Sequence, residues 1–541
     1  MHIKIGALGA VLLGIGGFWF WLGAPVPMPP SPLAAGEKIN CVSYAPFREW
    51  QSPLAPGIQI TREQIAGDLA ILSRIARCVR TYSTEFGLDA VPEIASNYGL
   101  DVLLGLWLGR DAEKNRQEVA RALAVAKANP QSVRAVVVGN EVLLRGEMSP
   151  QDLANTIRGV KAQLPKEIQV TYGDVWEFWL RHRELVDVVD FVTVHILPYW
   201  EDHPIPAEQA PAHIADIRVK VGESFPGKPI LIGETGWPSA GRMREGALPS
   251  PVNQARVLHG VLALAKRENY AVNLIEAFDQ PWKRQLEGTV GGHWGLFDAR
   301  TRAAKFAWGE PVSNHPYWVW QAAAGMVLAL AIMGGAFKNG GNRGRGLGRN
   351  LGRDELISLS MLALVGGCLL GWAAERIGIE SLGLGDWIRL IAMTALAIAV
   401  PIVGAAAIVS GASIPSFAAV LGRKEDRPND PLVLWLGGGL ILLTVISILV
   451  ALGLVFDPRY RDFPFAALSA ATLPFVVLSL RDRAIGARGA AETTACWVLG
   501  LSAAYIVFNE GIVNWQAVWF STVLAGVCFT LFRLTDAPGS K

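Results

Sequence analysis

A chain of 541 residues is long enough for two or three domains, and its net charge of +2 gives no basis for nucleic-acid binding through overall charge. Hydrophobic residues make up 51% of it, more than a soluble domain needs, and the long apolar runs lie in residues 5–23 and 317–533. Five cysteines are too few for a disulfide-stapled fold.

The first run, KIGALGAVLLGIGGFWFWLG from Lys4 to Gly23, is long enough to cross a bilayer. Lys4 precedes it and almost no charge follows, so the N-terminus is expected in the cytoplasm. A cleaved signal peptide is the alternative. Two features favour an uncleaved anchor: Trp19-Phe20-Trp21 suits an interfacial belt, and the semi-rigid Pro-rich spacer from Pro25 to Pro32 offers no clear small-x-small cleavage site. The expected layout is an anchor over 1–23, a Pro-rich linker over 24–36, a catalytic domain over 37–316 and a membrane domain over 317–541.

From Ile39 to Asp279 short apolar runs alternate with helical patterns. The expected strands are Ile39–Ala45, Val79–Tyr82, Val102–Leu106, Ala135–Asn140, Gln169–Gly173, Phe191–Ile196, Ile230–Gly233 and Asn273–Phe278. Helix-like segments include Thr61–Arg77, Lys114–Ala128, Pro150–Gln163 and Asn253–Arg267. Thr61 with Gln64, and Ser149 before Pro150, are start signals. Eight strands alternating with helices over about 280 residues predict an α/β fold, a (β/α)₈ TIM barrel. A doubly wound open sheet fits less well, because no Gly-rich phosphate fingerprint follows the first strand. Cys41 and Cys78 each open an expected strand; two unpaired thiols are the favoured reading and a disulfide between them the alternative. Cys368, Cys496 and Cys528 lie in apolar segments and are read as membrane-buried thiols.

Two segments share one grammar. VRAVVVGNEV, residues 133–142, and PILIGETGWPSAG, residues 229–241, are apolar β-branched runs that end in a carboxylate, Glu141 and Glu234. Either one alone reads as a surface or capping glutamate. As a pair closing two buried strands, they suit the two carboxyls that flank a scissile glycosidic bond. Strands four and seven lie three apart around an eight-stranded rim, so the two can face each other. Sugar C–H faces pack on aromatic rings, and aromatics recur at the expected strand ends: Tyr44, Tyr82, Trp107, Trp176, Tyr199, Trp200, Trp237 and Trp282. His195, on the sixth strand, reads as a pocket-wall hydrogen bonder rather than a metal ligand. No metal site is visible and no cofactor is called for.

GNEV at 139–142 and GETGWPSAG at 233–241 resemble the signature segments of glycoside hydrolase family 17, as do EAFDQPWK at 276–283 and HWGLFD at 293–298. The resemblance spans 37–310. It implies a (β/α)₈ enzyme active on β-1,3-glucan that retains anomeric configuration, with Glu141 as acid/base and Glu234 as nucleophile. It further implies that Asn140 contacts the sugar 2-OH, that Tyr199 positions the nucleophile with Arg80 beside it, and that Lys283 belongs to the family's last-strand motif. The sequence departs from the family at Phe278-Asp279-Gln280, where plant glucanases often read Phe-Asp-Glu. Asp279 is counted with Tyr44, Tyr82, Trp176, His195, Trp200, Trp237 and Trp282 as substrate-binding.

After Pro316 seven further apolar spans read as 317–337, 356–374, 387–410, 432–456, 463–480, 491–509 and 515–532, a polytopic all-α transmembrane domain. Alternate loops carry eleven basic residues (Lys338, Arg343, Arg345, Arg349, Arg353; Arg423, Lys424, Arg427; Arg481, Arg483, Arg488) against three (Arg376, Arg459, Arg461). That asymmetry predicts both termini in the cytoplasm and the catalytic domain on the far side of the membrane. The Gly/Arg-rich stretch over 339–353 reads as a stop-transfer loop touching anionic lipid. The whole resembles bacterial β-glucan synthesis proteins in which a family-17 domain transfers glucan to make β-1,6 links or branches. That resemblance implies that the far side is the periplasm of a bacterial inner membrane. Two other readings remain: a membrane-bound endo-β-1,3-glucanase, and a glucan-binding export or assembly factor. Expected partners are β-glucan and the lipid bilayer, with a glucan synthase or exporter in the same membrane as a further candidate and no nucleic acid.

Overall fold

The computed structural model describes residues 2–339, 351–423, 425, 427–481, 484–485 and 488–534. Arg343, Arg345 and Arg349 of the Gly/Arg-rich stretch, with Lys424 and Arg483, lie outside the described residues. The chain divides into two compact units, Val26–Gly241 with Gly246–Val312, and Met1–Pro25 with Arg242–Glu245 and Ser313–Lys541.

In the first unit eight parallel strands close into a barrel in sequence order. They are β1 (Cys41–Ser43), β2 (Cys78–Arg80), β3 (Asp101–Leu106), β4 (Val133–Asn140), β5 (Gln169–Val175), β6 (Val192–His195), β7 (Ile230–Thr235) and β8 (Ala271–Leu274). The last pairs with the first, Cys41 against Asn273 and Val42 against Leu274. Each expected strand is present. They are buried on both sides, which is why their sequences run as near-continuous Val, Ile and Leu rather than alternating.

The second unit opens the chain with helix α1 (His2–Gly23). The barrel's helices follow: α2 (Arg62–Leu72), α3 (Val91–Ser96), α4 (Ala112–Ala128), α5 (Pro150–Lys161), α6 (Trp176–Arg181), α7 (Ala210–Ser224), α8 (Pro251–Glu268) and α9 (Arg284–Gly291). The starts of α2, α4, α5 and α8 are set by side chains that accept orphan backbone N–H groups. Thr61 takes the N–H of Gln64, Ser149 that of Asp152 and Ser250 that of Asn253, the last two with proline at the first turn.

One expectation is overturned. Cys41 and Cys78 form a disulfide, with Cα atoms 4.3 Å apart. Val42 pairs with Val79 across β1 and β2, so the preceding residues stand at the same height on neighbouring strands. The sequence places each cysteine at a strand start but does not reveal that the two starts are level.

The helical unit continues with α10 (Trp318–Asn339), α11 (Arg353–Glu380), α12 (Leu384–Ser410), α13 (Phe417–Leu421), α14 (Pro431–Phe456), α15 (Phe465–Leu480), α16 (Ala490–Glu510) and α17 (Trp515–Phe532). Among the described residues seven helices, α1 among them, are long and apolar enough to cross a membrane. The eighth expected span, α15, has 16 residues. At 1.5 Å per residue that is roughly 24 Å, short of a hydrocarbon core of about 30 Å. Val11, Ile15 and Trp19 of α1 are buried in this unit's core. α10 and α11 approach so closely that a Cβ on Gly325 would lie 2.3 Å from the Gly367 carbonyl oxygen. Within the same unit Arg242 is buried, pairs with Glu510 and lies over the Phe463 ring, 4.7 Å from its centroid.

Alkylation of the full chain, denatured without reductant, is expected to label three cysteines, Cys368, Cys496 and Cys528, and five after reduction. Five labels without reductant would contradict the bridge.

Candidate active site

Glu141 and Glu234 reach the C-terminal mouth of the barrel by different routes. Glu234 is a strand residue of β7 and almost fully buried. Glu141 follows the last residue of β4, and the chain turns sharply there. Gly139 has φ 90° and Glu141 itself φ 52°. A Cβ at Gly139 would meet Val142 Cγ2 at 2.7 Å, so the turn requires glycine. A left-handed glutamate costs on the order of 1–3 kcal/mol and persists only where its surroundings fix it. The Glu141 N–H donates to the Gly173 carbonyl at 2.7 Å, and Arg145 ties the turn to the Asn140 and Leu108 carbonyls.

His195, the last residue of β6 and fully buried, lies between the two carboxyls. Its Nδ1 is 2.8 Å from Glu141 Oε1 and its Nε2 is 3.6 Å from Glu234 Oε1. Arg80 Nη1 points at the same Nε2 from 3.2 Å. A guanidinium only donates, so Nε2 is the acceptor and the ring proton sits on Nδ1, donated to Glu141. Arg80 is 1% exposed and serves four acceptors: the Gly233 carbonyl at 2.7 Å, Asn140 Oδ1 at 2.6 Å, Glu234 Oε1 at 3.3 Å and His195.

A second chain of hydrogen bonds ends on the same oxygen. Asn273 Nδ2 donates to Ser43 Oγ at 2.8 Å, Ser43 then donates to Tyr82 at 2.8 Å, and the Tyr82 hydroxyl donates to Glu234 Oε1 at 2.9 Å. The two hydrogen-bond donors on this oxygen, Arg80 and Tyr82, suit an attacking carboxylate.

The ligand atoms of Glu141, His195 and Glu234 lie within 4.8 Å of one another. Two carboxyls this close fit the spacing of retaining glycosidases, about 5–5.5 Å, rather than the wider gap of inverting ones. The same triad is compact enough to chelate an ion, but the histidine nitrogen with the free lone pair faces Arg80, whose charge already fills the cation's role.

Burial pushes the Glu141 carboxyl up, but the His195 hydrogen bond, with the charges of Arg145 and Arg80, outweighs it and holds it below its ordinary value. Glu276, buried just after β8, is pushed up to about 7 by burial, although Lys283 Nζ sits 3.0 and 3.1 Å from its two oxygens and favours the charged form. Burial also raises Glu287, and the charges of Glu141 and Glu234 add to that while Lys283 opposes it. Lys283 is raised: burial opposes its charge, and Glu276, Glu287 and Glu234 together outweigh that.

The residues named from sequence divide into two groups. Asn140, Arg80, Tyr82 and His195 gather around the two glutamates, and Lys283 feels the charge of Glu234 through space. Asp279 does not join them. It accepts from the Gly295 N–H at 2.8 Å and Lys305 Nζ at 2.5 Å, fixing the 293–305 segment. The acids beside the pair are Glu276 and Glu287, which sequence reasoning passed over. Glu276 opens the quoted EAFDQPWK segment and Glu287 stands one helical turn beyond Lys283, the signals that were there to use.

Among the aromatics, Tyr44 gives its hydroxyl to Asp68 Oδ2 of α2 at 3.2 Å, and Trp237 gives its indole N–H to the Leu248 carbonyl at 3.1 Å. Both are buried core. Tyr199 is buried edge-on to Trp200, Trp237 and Trp294. Trp200, half-buried, lies nearly parallel to Trp294, with centroids 6.5 Å apart; Trp294 is another residue that sequence reasoning missed. Trp176 donates to Glu201, and Trp282 donates to Gln280 while packing on Phe47. Trp107 is 44% exposed, with Arg145 over its ring.

Residues 41–295 match the family model of the BtgE/BtgC glycoside hydrolase domain. The chain is 30% identical over 227 residues to the probable beta-glucosidase btgE of Aspergillus fumigatus, covering 41% of this chain and 39% of that protein. This chain therefore spans about two-fifths of that relative's length. It is 29% identical over 261 residues to the glucan 1,3-beta-glucosidase of Arthroderma benhamiae, covering 44% of this chain and 82% of the relative. The crystal structure of a glycoside hydrolase family 17 beta-1,3-glucanosyltransferase from Rhizomucor miehei aligns with 49% of this chain and 95% of its own at 29% identity, with a TM-score of 0.44.

Arg80→Lys keeps the charge but places one donor group where a planar fork now serves four acceptors. Glycosidase turnover is expected to fall about a hundredfold through misplaced carboxyls. A loss below about threefold would show that the fork geometry is dispensable.

Proposed function

We propose that this chain, whose barrel is a glycoside hydrolase domain of the BtgE/BtgC type, is a membrane-anchored retaining transglycosylase that acts on β-1,3-glucan and forms β-1,6 linkages or branches. The observation that carries the reading is the close pair of Glu141 and Glu234, bridged by His195 and held by Arg80. Glu234 attacks the anomeric carbon while Glu141 protonates the departing glycosidic oxygen, leaving a glycosyl ester on Glu234. Glu141, now a carboxylate, takes the proton from an incoming sugar hydroxyl as that oxygen displaces the ester. Asn140, which reaches the mouth beside the pair, is assigned to the sugar 2-OH. Tyr199 is assigned to support of the nucleophile. Trp176, Trp200 and Trp282 are assigned to the sugar chain.

Several features support a periplasmic location at a bacterial inner membrane with both termini cytoplasmic. The helices of the second unit are apolar, the loop charges alternate as the positive-inside rule asks, and the Cys41–Cys78 disulfide suits an oxidising compartment. The burial of Val11, Ile15 and Trp19 supports α1 as a retained anchor, because removing it would open the helical core.

The names of the curated relatives, which are glucosidases, favour hydrolysis as the second reading. Both readings share the ester on Glu234 and differ in whether water or sugar resolves it.

The detergent-solubilised full chain, incubated with linear β-1,3-gluco-oligosaccharides, is expected to yield products longer than the substrate with new β-1,6 signals by NMR, and Glu234→Gln to yield none. Shorter sugars alone would establish the hydrolase. Activity of Glu234→Gln equal to wild type would remove Glu234 from the mechanism.

The first step consumes Glu141 in its acid form, and His195 holds that carboxyl below its ordinary value. The alkaline limb of kcat/KM, which reports the free enzyme, is therefore expected to fall early and to move to higher pH in His195→Ala. An unmoved limb, or one moved to lower pH, would show that another group sets it.

A further inference from the structure

The end of β5, Tyr172-Gly173-Asp174, holds the turn that carries Glu141 by three successive residues. The Gly173 carbonyl accepts the Glu141 N–H at 2.7 Å. The Tyr172 hydroxyl accepts the Leu143 N–H at 3.0 Å and donates its own proton to Asp174 Oδ2. The same Oδ2 accepts the Leu144 N–H at 3.4 Å, and Oδ1 accepts the Val175 N–H at 2.8 Å. Asp174 is fully buried, and among the described residues no lysine or arginine forms an ion pair with it. A buried carboxylate without a cation is costly, and the three donors on its two oxygens offset part of that cost. The placement has a consequence an amide would not give: a negative charge beside Glu141.

We propose that Asp174, acting with Tyr172, is a positioning residue for Glu141. It fixes the left-handed turn that aims this carboxyl at the leaving oxygen, and its charge favours the protonated form that the first step consumes. The inference rests on the reading of Glu141 as acid/base.

Other charges also face Glu141: His195 from β6, Arg80 from β2, Arg145 from the turn itself, Glu234 from β7 and Glu287 from α9. His195 and the two arginines favour the carboxylate; Asp174 works in the opposite sense, with Glu234 and Glu287. Burial raises Asp174 to about 6, and the charge of Glu141 adds to that, so the two carboxyls resist joint ionisation. Near neutral pH Asp174 is ionised and its push on Glu141 is present.

The test compares two donors on the full chain in detergent. A β-1,3-gluco-oligosaccharide needs its leaving oxygen protonated, whereas a dinitrophenyl β-laminaribioside does not. Asp174→Asn is expected to lose about tenfold in kcat on the oligosaccharide and little in glycosyl-enzyme formation from the aryl donor. The loss on the oligosaccharide is expected to deepen as pH rises through about 6, where Asp174 of the unsubstituted chain ionises. Tyr172→Phe is expected to show the same donor selectivity. Trapping with a 2-fluoro aryl donor, read as the intact mass of the covalent adduct, checks that each variant holds a folded site. Equal losses on both donors, a loss independent of pH, or a variant that forms no adduct would overturn the proposal, leaving Asp174 a fold residue. Glu141→Ala run in parallel separates the two failures. If it shows no donor selectivity, the acid/base reading falls and this inference with it. If it is selective and Asp174→Asn is not, only this inference falls.

Discussion

The buried guanidinium of Arg80 is the constraint on which the site depends. Two carboxylates within 4.8 Å of each other repel by roughly 3 kcal/mol at an effective dielectric near 20, and more as water is excluded. A positive charge has to stand beside them, and it has to stay there when substrate closes the mouth. Arg80 meets this from inside the barrel wall, 1% exposed, with both terminal nitrogens engaged. Its own desolvation is offset because its partners include a carbonyl and an amide oxygen as well as the carboxylate. The neighbouring strands make room for it. A Cβ at Gly173 would lie 2.9 Å from Arg80 Nη2 and 3.0 Å from His195 Nε2; one at Gly233 would lie 2.3 Å from Thr193 Cγ2. The GN, YGD and IGE segments at three strand ends are thus shaped by one side chain arriving from a fourth.

That arrangement also separates two chemically identical side chains. Glu234 receives Arg80 and Tyr82 and has no route to a proton of its own. Glu141 faces the Nδ1–H of His195, a bond that breaks and re-forms as the carboxyl gains and loses its proton. The backbone repeats the distinction. Glu234 is fixed in a strand, suited to a nucleophile whose position sets the reaction geometry. Glu141 sits on a turn held by side-chain and carbonyl partners, where a group that acts twice, first as acid and then as base, can adjust.

Much of this was legible in the sequence because strand burial leaves a periodic record. All eight strands, the two carboxylates that close strands four and seven, and His195 follow from runs of Val, Ile and Leu ending in polar residues, while Arg80 and Asn140 rest on the family resemblance. What the runs do not encode is lateral register and side-chain direction. Cys41 and Cys78 were placed at strand starts but not level with each other. Tyr44 and Trp237 follow strands as Tyr82 does, yet turn outward to Asp68 and the Leu248 carbonyl while Tyr82 turns inward. Glu276 and Asp279 are three residues apart beyond β8, and which of them faces the pair depends on where the chain turns between them. α15 shows the same limit in the helical unit: its apolar character is plain, while its length is set by Pro464 at its start.

In the proposed mechanism the ester on Glu234 would meet water at about 55 M and acceptor sugar at a concentration on the order of millimolar. To favour transfer the site has to discriminate by about 10⁴–10⁵, roughly 6 kcal/mol, at 1.4 kcal/mol for each factor of ten. Acceptor-side stacking supplies part of that. On the proposed assignment the half-buried Trp176, Trp200 and Trp282 would offer aromatic faces, each worth on the order of 1 kcal/mol against a sugar ring by analogy with other ring contacts. Local concentration supplies another part without any new contact. An enzyme tethered in the membrane where glucan emerges meets acceptor chains at effective concentrations well above bulk, and each tenfold gain removes 1.4 kcal/mol from what the pocket has to provide. On the transfer reading the anchor is therefore part of the chemistry. On the hydrolytic reading it confers nothing at this step, because water is equally abundant everywhere.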